Sequence, residues 1–186
     1  MWVAAAEASG EAVALRRQLV TSNRNAFLPD LALALHTHSL SLQKINRPAE
    51  ALKMSHEAVA LRRELAGLNP DAHLPELAKT LNNHALRLAE TGRTVAAFEA
   101  SRESIAIRRG LVARHGDVYL PALATSLWHS GLVALTTGNI GNEVVAQTTE
   151  GVHYLTALAI NEPAAFGGRQ QAAANVLARL RRRTST

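Results

Sequence analysis

The segment Glu11-Ala-Val-Ala-Leu-Arg-Arg17 recurs as Glu57-Ala-Val-Ala-Leu-Arg-Arg63 and, with conservative changes, as Glu103-Ser-Ile-Ala-Ile-Arg-Arg109. Each copy starts 46 residues after the one before. A weaker fourth, Glu150-Gly-Val-His-Tyr154, starts 47 residues further on. Phe27-Leu28-Pro29, His73-Leu74-Pro75 and Tyr119-Leu120-Pro121 keep the same step. A repeated unit of this length cannot bury its apolar face alone and stacks on its neighbours. Two landmarks in one register therefore predict a linear array, in which matched places of successive units meet in space.

Each unit divides into two helices. The first is predicted to begin near the Leu-Pro pair, because proline fits the first helical turn, where its missing N–H costs nothing. Asp30 and Glu76 follow and favour the positive helix end. It runs to Asn46, Gly92 or Gly138, residues that tolerate a left-handed cap. The short turn that follows makes the next helix antiparallel. The second helix carries small residues at matched places: Ala5, Ala51 and Ala97; Ser9, Ser55 and Ser101; Ala12, Ala58 and Ser104. Spacings of four and three put each trio on one face, so a partner helix can approach closely. Leu19, Leu65, Leu111 and Leu158 continue the apolar side. Aromatic residues are only 4% of the chain, so the core must be built of Ala, Leu and Val, which favours close-packed helices.

Small residues at fixed places in both helices, a Gly after the first and Ala early in the second resemble the tetratricopeptide repeat pattern. In the middle unit these are Ala85, Gly92 and Ala97, with Leu81 and Leu88 as core positions; Ser39 and Gly131 match Ala85. The resemblance covers about Trp2 to Leu158. The unit of 46 exceeds the common ~34 residues, as in the long-repeat arrays of kinesin light chains and of actinobacterial signalling proteins. HEAT-type repeats have a similar length, and the Gly and Ala placements argue against them. The resemblance implies an all-α fold: a right-handed superhelical solenoid of antiparallel helix pairs. Its parts would be a half-repeat over 2–20, repeats over 27–68 and 73–114, a degenerate repeat over 119–160 and a cap helix over 169–183. Pro163 and Gly167-Gly168 are expected to break the chain before that cap. The unmatched half-repeat suggests either the end of a longer array or an edge covered by a partner or a second copy, giving a homodimer.

In tetratricopeptide arrays the first helices line the concave surface. The resemblance therefore places His36, Thr37, Asn82, Asn83, Trp128 and His129 in a groove. Leu40, Leu86 and Leu132 lie one turn further, with Gln43 beyond. Related arrays use Asn at the Asn83-type place to hold a peptide backbone, which suits an amide with both donor and acceptor. Trp128 would add an apolar platform with a polar edge. The rival reading is a polar wall with no ligand. The expected function is interaction or scaffolding through this groove. The alternative is a regulatory or oligomerisation segment of a larger signalling protein, of the kind that couples a STAND-type ATPase module to such an array.

The paired arginines Arg16-Arg17, Arg62-Arg63 and Arg108-Arg109 would form rows along the stack. These are either a strip for an acidic partner or phosphate, or solvated helix surface with stems covering apolar neighbours. Aromatic residues do not interleave with them, and the formal charge is only +5, so nucleic acid is not the expected partner. His38 and His84 are matched and could face each other, but no cysteine or nearby carboxylate completes a zinc set. No Gly-rich phosphate loop, His-Glu-x-x-His or Gly-x-Ser-x-Gly is present. We therefore expect no enzyme, metal or cofactor. No apolar run approaches a membrane span of about 20 residues. Met1-Trp2-Val3-Ala4 lacks the pattern of a signal peptide, and with no cysteine in the chain a cytoplasmic protein is the expectation.

Overall fold

The structure, a computed structural model, describes residues 2–184. Among them it is all-α, with no strand. The elements are α1 (Trp2–Ser22), α2 (Arg24–Lys44), α3 (Pro48–Leu68), α4 (Pro70–Glu90), α5 (Thr94–His115), a 3-10 turn (Gly116–Tyr119), α6 (Leu120–Thr137), α7 (Asn142–Asn161) and α8 (Pro163–Thr184). The chain forms two compact units, one ending at Thr91 with α1–α4 and one starting at Gly92 with α5–α8. In each unit successive helices pack on one another, and α6 also packs on α8.

Side-chain bonds fix the antiparallel sense. Ser9 Oγ lies 2.9 Å from His38 Nδ1, nearly symmetric about the α1–α2 connection at Asn23. Ser39 Oγ donates to the Ala51 carbonyl (2.8 Å) across α2 and α3. In the second unit Ser104 Oγ and Ser126 Oγ meet at 3.0 Å across α5 and α6. The turns after α2, α4 and α6 take the left-handed backbone expected of them, with φ of +57° at Asn46, +76° at Gly92 and +73° at Gly138.

Three helix starts differ from expectation. α2 and α4 begin before the Leu-Pro pair, because Asn23 and Asn69 cap them, each side chain accepting from the backbone N–H three residues on. Pro29 and Pro75 thus lie inside their helices, near enough to the N-terminus that the loss is one intrahelical bond. Only in α6, where the 3-10 turn replaces that lead-in, does Pro121 occupy the first turn. At the other end α8 runs unbroken through Gly167 and Gly168. Each glycine costs about 1 kcal/mol in a helix interior, and burial of Ala173, Val176, Leu177 and Leu180 at about 1.5–3 kcal/mol per large side chain offsets it.

The cores use expected positions such as Ala58, Leu65, Ala173 and Leu180 beside apolar residues that the repeat pattern did not single out. In the first unit Val13, Leu31, Ala34, Leu35 and Ala58 form one cluster and Leu28, Ala32 and Leu65 another. In the second, Ala134, Val144, Val176 and Leu180 join α6, α7 and α8, beside Ile105–Leu123–Leu127 and Ala124–Leu155–Ala173. Two glycines permit close approach here. A Cβ on Gly131 would meet Thr148 Oγ1 at 2.6 Å, and one on Gly151 would meet the Ala124 carbonyl and Trp128 amide at 3.0 Å. Leu19, by contrast, is exposed. Within Thr94–Thr137 one window of mean hydropathy 1.3 is apolar enough to cross a membrane by composition, more apolar than the sequence reading allowed; 44% of it is buried inside the protein.

Candidate functional site

The face shared by α2 and α4 carries most of the expected groove residues of the first unit. His36, Leu40 and Gln43 follow one another at helical spacing on α2, as Asn83, Leu86 and Glu90 do on α4. Asn83 Nδ2 donates to His36 Nε2 at 3.4 Å. Gln43 and Glu90 line one cleft of about 280 Å³ with Asn46 and Pro48. Both pairs are offset by 47 residues, so α2 and α4 run parallel along this face. Leu40 is exposed, while Gln43, Asn83 and Leu86 are half-buried.

His36 is 6% exposed. Burial, reinforced by the Lys79 cation and opposed by the Glu76 carboxylate, pushes its pKa down to about 4. It is therefore neutral near pH 7 and can accept from Asn83 at Nε2. That contact spends one donor of the Asn83 amide and leaves its oxygen and a second N–H. Asn82 is buried, so it faces the interior and not a groove. Thr37 is exposed but lines a different cleft, with Ser9, Ala12 and Arg16 of α1.

In the second unit Trp128, His129 and Leu132 are half-buried. Trp128 packs among Ala124, Leu155 and Ala173 on one side and Ala134, Val144 and Val176 on the other. Its Nε1–H is buried without a protein acceptor, so the expected polar edge does not face solvent. The Trp128 and His129 rings meet edge-on at 4.3 Å. Burial, with the Arg108 cation, pushes His129 down to about 4.

The arginine pairs split by helix face. The first members turn inward: Arg16 is half-buried, and Arg62 and Arg108 are 5% and 7% exposed. Arg16 and Arg62 approach Asp30 (3.8 Å) and Glu76 (4.0 Å). The second members turn outward, and two bind a glutamate of the next copy of their own motif: Arg17 to Glu57 and Arg109 to Glu150, both at 2.6 Å. Arg63 is exposed as well. The rows are thus partly neutralised and partly buried.

His38 and His84 each face a serine of the preceding helix. Ser9 Oγ donates to the Ala6 carbonyl (3.0 Å), and Ser55 Oγ donates to that of Leu52 (2.9 Å) and lies 2.8 Å from His84 Nδ1. Each serine hydroxyl thus bridges a carbonyl of its own helix and the Nδ1 of the imidazole. Burial pushes His84 down to about 4, helped by His56 and Arg63, and lowers His38. Sequence reasoning noted both residue sets but missed the couple. Its signal was the constant separation of 29 residues between serine and histidine in two successive copies. Among the described residues no three His, Asp or Glu gather into a metal-binding group.

The sequence matches no protein-family model and no curated protein.

Proposed function

We propose that the helices form a tetratricopeptide-like right-handed solenoid with a 46-residue period, and that the α2–α4 face binds an extended segment of another protein. The observation that carries this is the pair of parallel helices bridged by His36 and Asn83, with a cleft at Gln43 and Glu90 further along. The Asn83 amide keeps a donor and an acceptor for one peptide unit. Leu40 and Leu86 offer apolar contact beside it, and Gln43 offers a second amide one turn on.

Peptide display against the purified protein tests the reading. The selected sequences should share a motif, and Asn83→Ala should weaken their binding about tenfold, the worth of one to two hydrogen bonds, with helicity unchanged. Failure to enrich any motif, or binding indifferent to Asn83→Ala and Leu40→Glu, would count against the groove.

A second reading, an oligomerisation or regulatory segment, is favoured by the exposed apolar residues of α1: Trp2, Val3, Leu15 and Leu19. Light scattering separates the two. A dimer that Leu15→Glu dissociates supports the second reading, whereas a monomer at all concentrations removes self-association.

A further inference from the structure

The second unit departs from the first at two neighbouring matched places. Forty-six residues beyond His84 the chain has Ser130, and 46 beyond His56 it has Arg102. In the first unit the His56 and His84 rings pack at 5.8 Å and His84 engages Ser55. In the second, both imidazoles are gone. Ser130 turns back to donate to the Leu127 carbonyl (2.6 Å). Ser101, which matches Ser55, is 3% exposed, and its hydroxyl has no hydrogen-bond partner among the described residues. A cleft of about 280 Å³ opens where the rings would be, lined by Phe98, Ser101, Arg102, Ser130, Glu143 and Val144 among others.

The lining has a definite chemistry. Val144 belongs to the apolar cluster of α6–α8, Phe98 of α5 packs against it, and together they supply an apolar floor. Arg102 is exposed and makes no ion pair or hydrogen bond among the described residues, so its planar fork is free for a carboxylate. Glu143 stands in the first turn of α7, where its Oε1 accepts from Gln147 (3.0 Å) and its other oxygen remains. The cleft is roughly 8 Å across if spherical, at the lower end of ligand-pocket size, so both charges reach one small molecule. A simple carboxylate would meet Glu143, and a simple amine would meet Arg102. A zwitterion satisfies both.

We propose that this cleft binds a free apolar α-amino acid. Its carboxylate lies on Arg102 and the Ser101 hydroxyl, its ammonium on Glu143, and its side chain on Phe98 and Val144. Ser101 then donates to the ligand carboxylate.

The test is titration of the full chain with L-leucine and L-phenylalanine, followed by calorimetry and amide chemical shifts. The controls are 4-methylpentanoate and 3-methylbutylamine, which keep the side chain of leucine and lose one charge each. The amino acids should bind at least tenfold tighter than either control and shift the amides of Phe98, Ser101 and Val144. Arg102→Ala and Glu143→Gln should each weaken binding at least tenfold. Ser130→His should abolish it by filling the cleft. Ser101→Ala, a substitution too small to disturb folding, should weaken it severalfold. No shift with either amino acid at millimolar concentration would overturn the proposal. So would equal binding of a control, or binding that survives both Arg102→Ala and Ser101→Ala.

Discussion

The two halves of the chain solve one packing problem with different side chains. In the first unit, serine–histidine couples fill the space between helices: Ser9 with His38 and Ser55 with His84. In the second unit, the matched serines Ser101 and Ser130 leave that space open, and close contact is made elsewhere by Gly131 and Gly151. A repeat therefore fixes the path of the backbone more firmly than it fixes what lies between the helices. Polar filling gives the first unit sensitivity to protons, and glycine packing gives the second sensitivity to volume.

Acid should separate the halves most. His36 and His84 are pushed down to about 4 by burial, so the unfolded chain binds more protons than the folded one between about pH 6.5 and 4. Stability from these groups is complete above pH 6.5 and falls as the pH drops through that window. At pH 5 each costs about 2 kcal/mol, roughly 4 kcal/mol together. The second unit has one comparable group, His129. Hydrogen exchange resolved along the chain should show α1–α4 opening first at pH 5. Simultaneous opening of both halves would contradict the contrast.

Volume should act the other way. Gly151→Leu pushes a side chain against the Ala124 carbonyl and Trp128 amide and should cost about 3 kcal/mol, read as loss of protection confined to α5–α8. The reverse change at the matched place, Ala58→Gly, should cost only about 1 kcal/mol, read in urea melts. Next is the serine comparison. Ser55→Ala leaves the buried Nδ1 of His84 without its partner and should destabilise by about 1–3 kcal/mol, whereas Ser101→Ala should stay within about 0.5 kcal/mol. Least of all, Arg17→Ala and Arg109→Ala each remove an exposed ion pair. Both should cost below about 1 kcal/mol, and less in high salt.

Helix pairing, the turn residues Asn46, Gly92 and Gly138, and part of the buried apolar set (Ala51, Ala58, Leu65, Leu81 and Leu88 among them) were legible in the sequence, because each follows from periodicity or from turn chemistry. The start of α2 and α4 was not. Leu-Pro is a strong local signal, and it hid the Asn23 and Asn69 caps several residues upstream. Gly167-Gly168 read as a break because propensity sees only the local cost, while the apolar stripe from Ala173 to Leu180 decides the outcome. The arginine pairs read as uniform rows, yet adjacent residues on a helix point about 100° apart, so one of each pair turns inward. Within the site, the parallel α2–α4 face was expected, whereas burial of Asn82 and the turn of Thr37 toward α1 depend on the packing of neighbouring helices. The serine–histidine couples and the cleft at Ser130 are pairwise facts, visible only once the two residues are placed together.

While Ser9 and Ser55 keep their hydroxyl protons on the helix carbonyls, the ring proton of His38 and His84 stands on Nδ1, with a hydroxyl oxygen as its acceptor. Free imidazole in water favours the other tautomer, so both residues should stand apart in a nitrogen-15 spectrum. The His38 signal reports on the α1–α2 hairpin and the His84 signal on α3–α4. The protein thus carries two native spectroscopic labels, and each should shift toward the solution average when its own hairpin loosens.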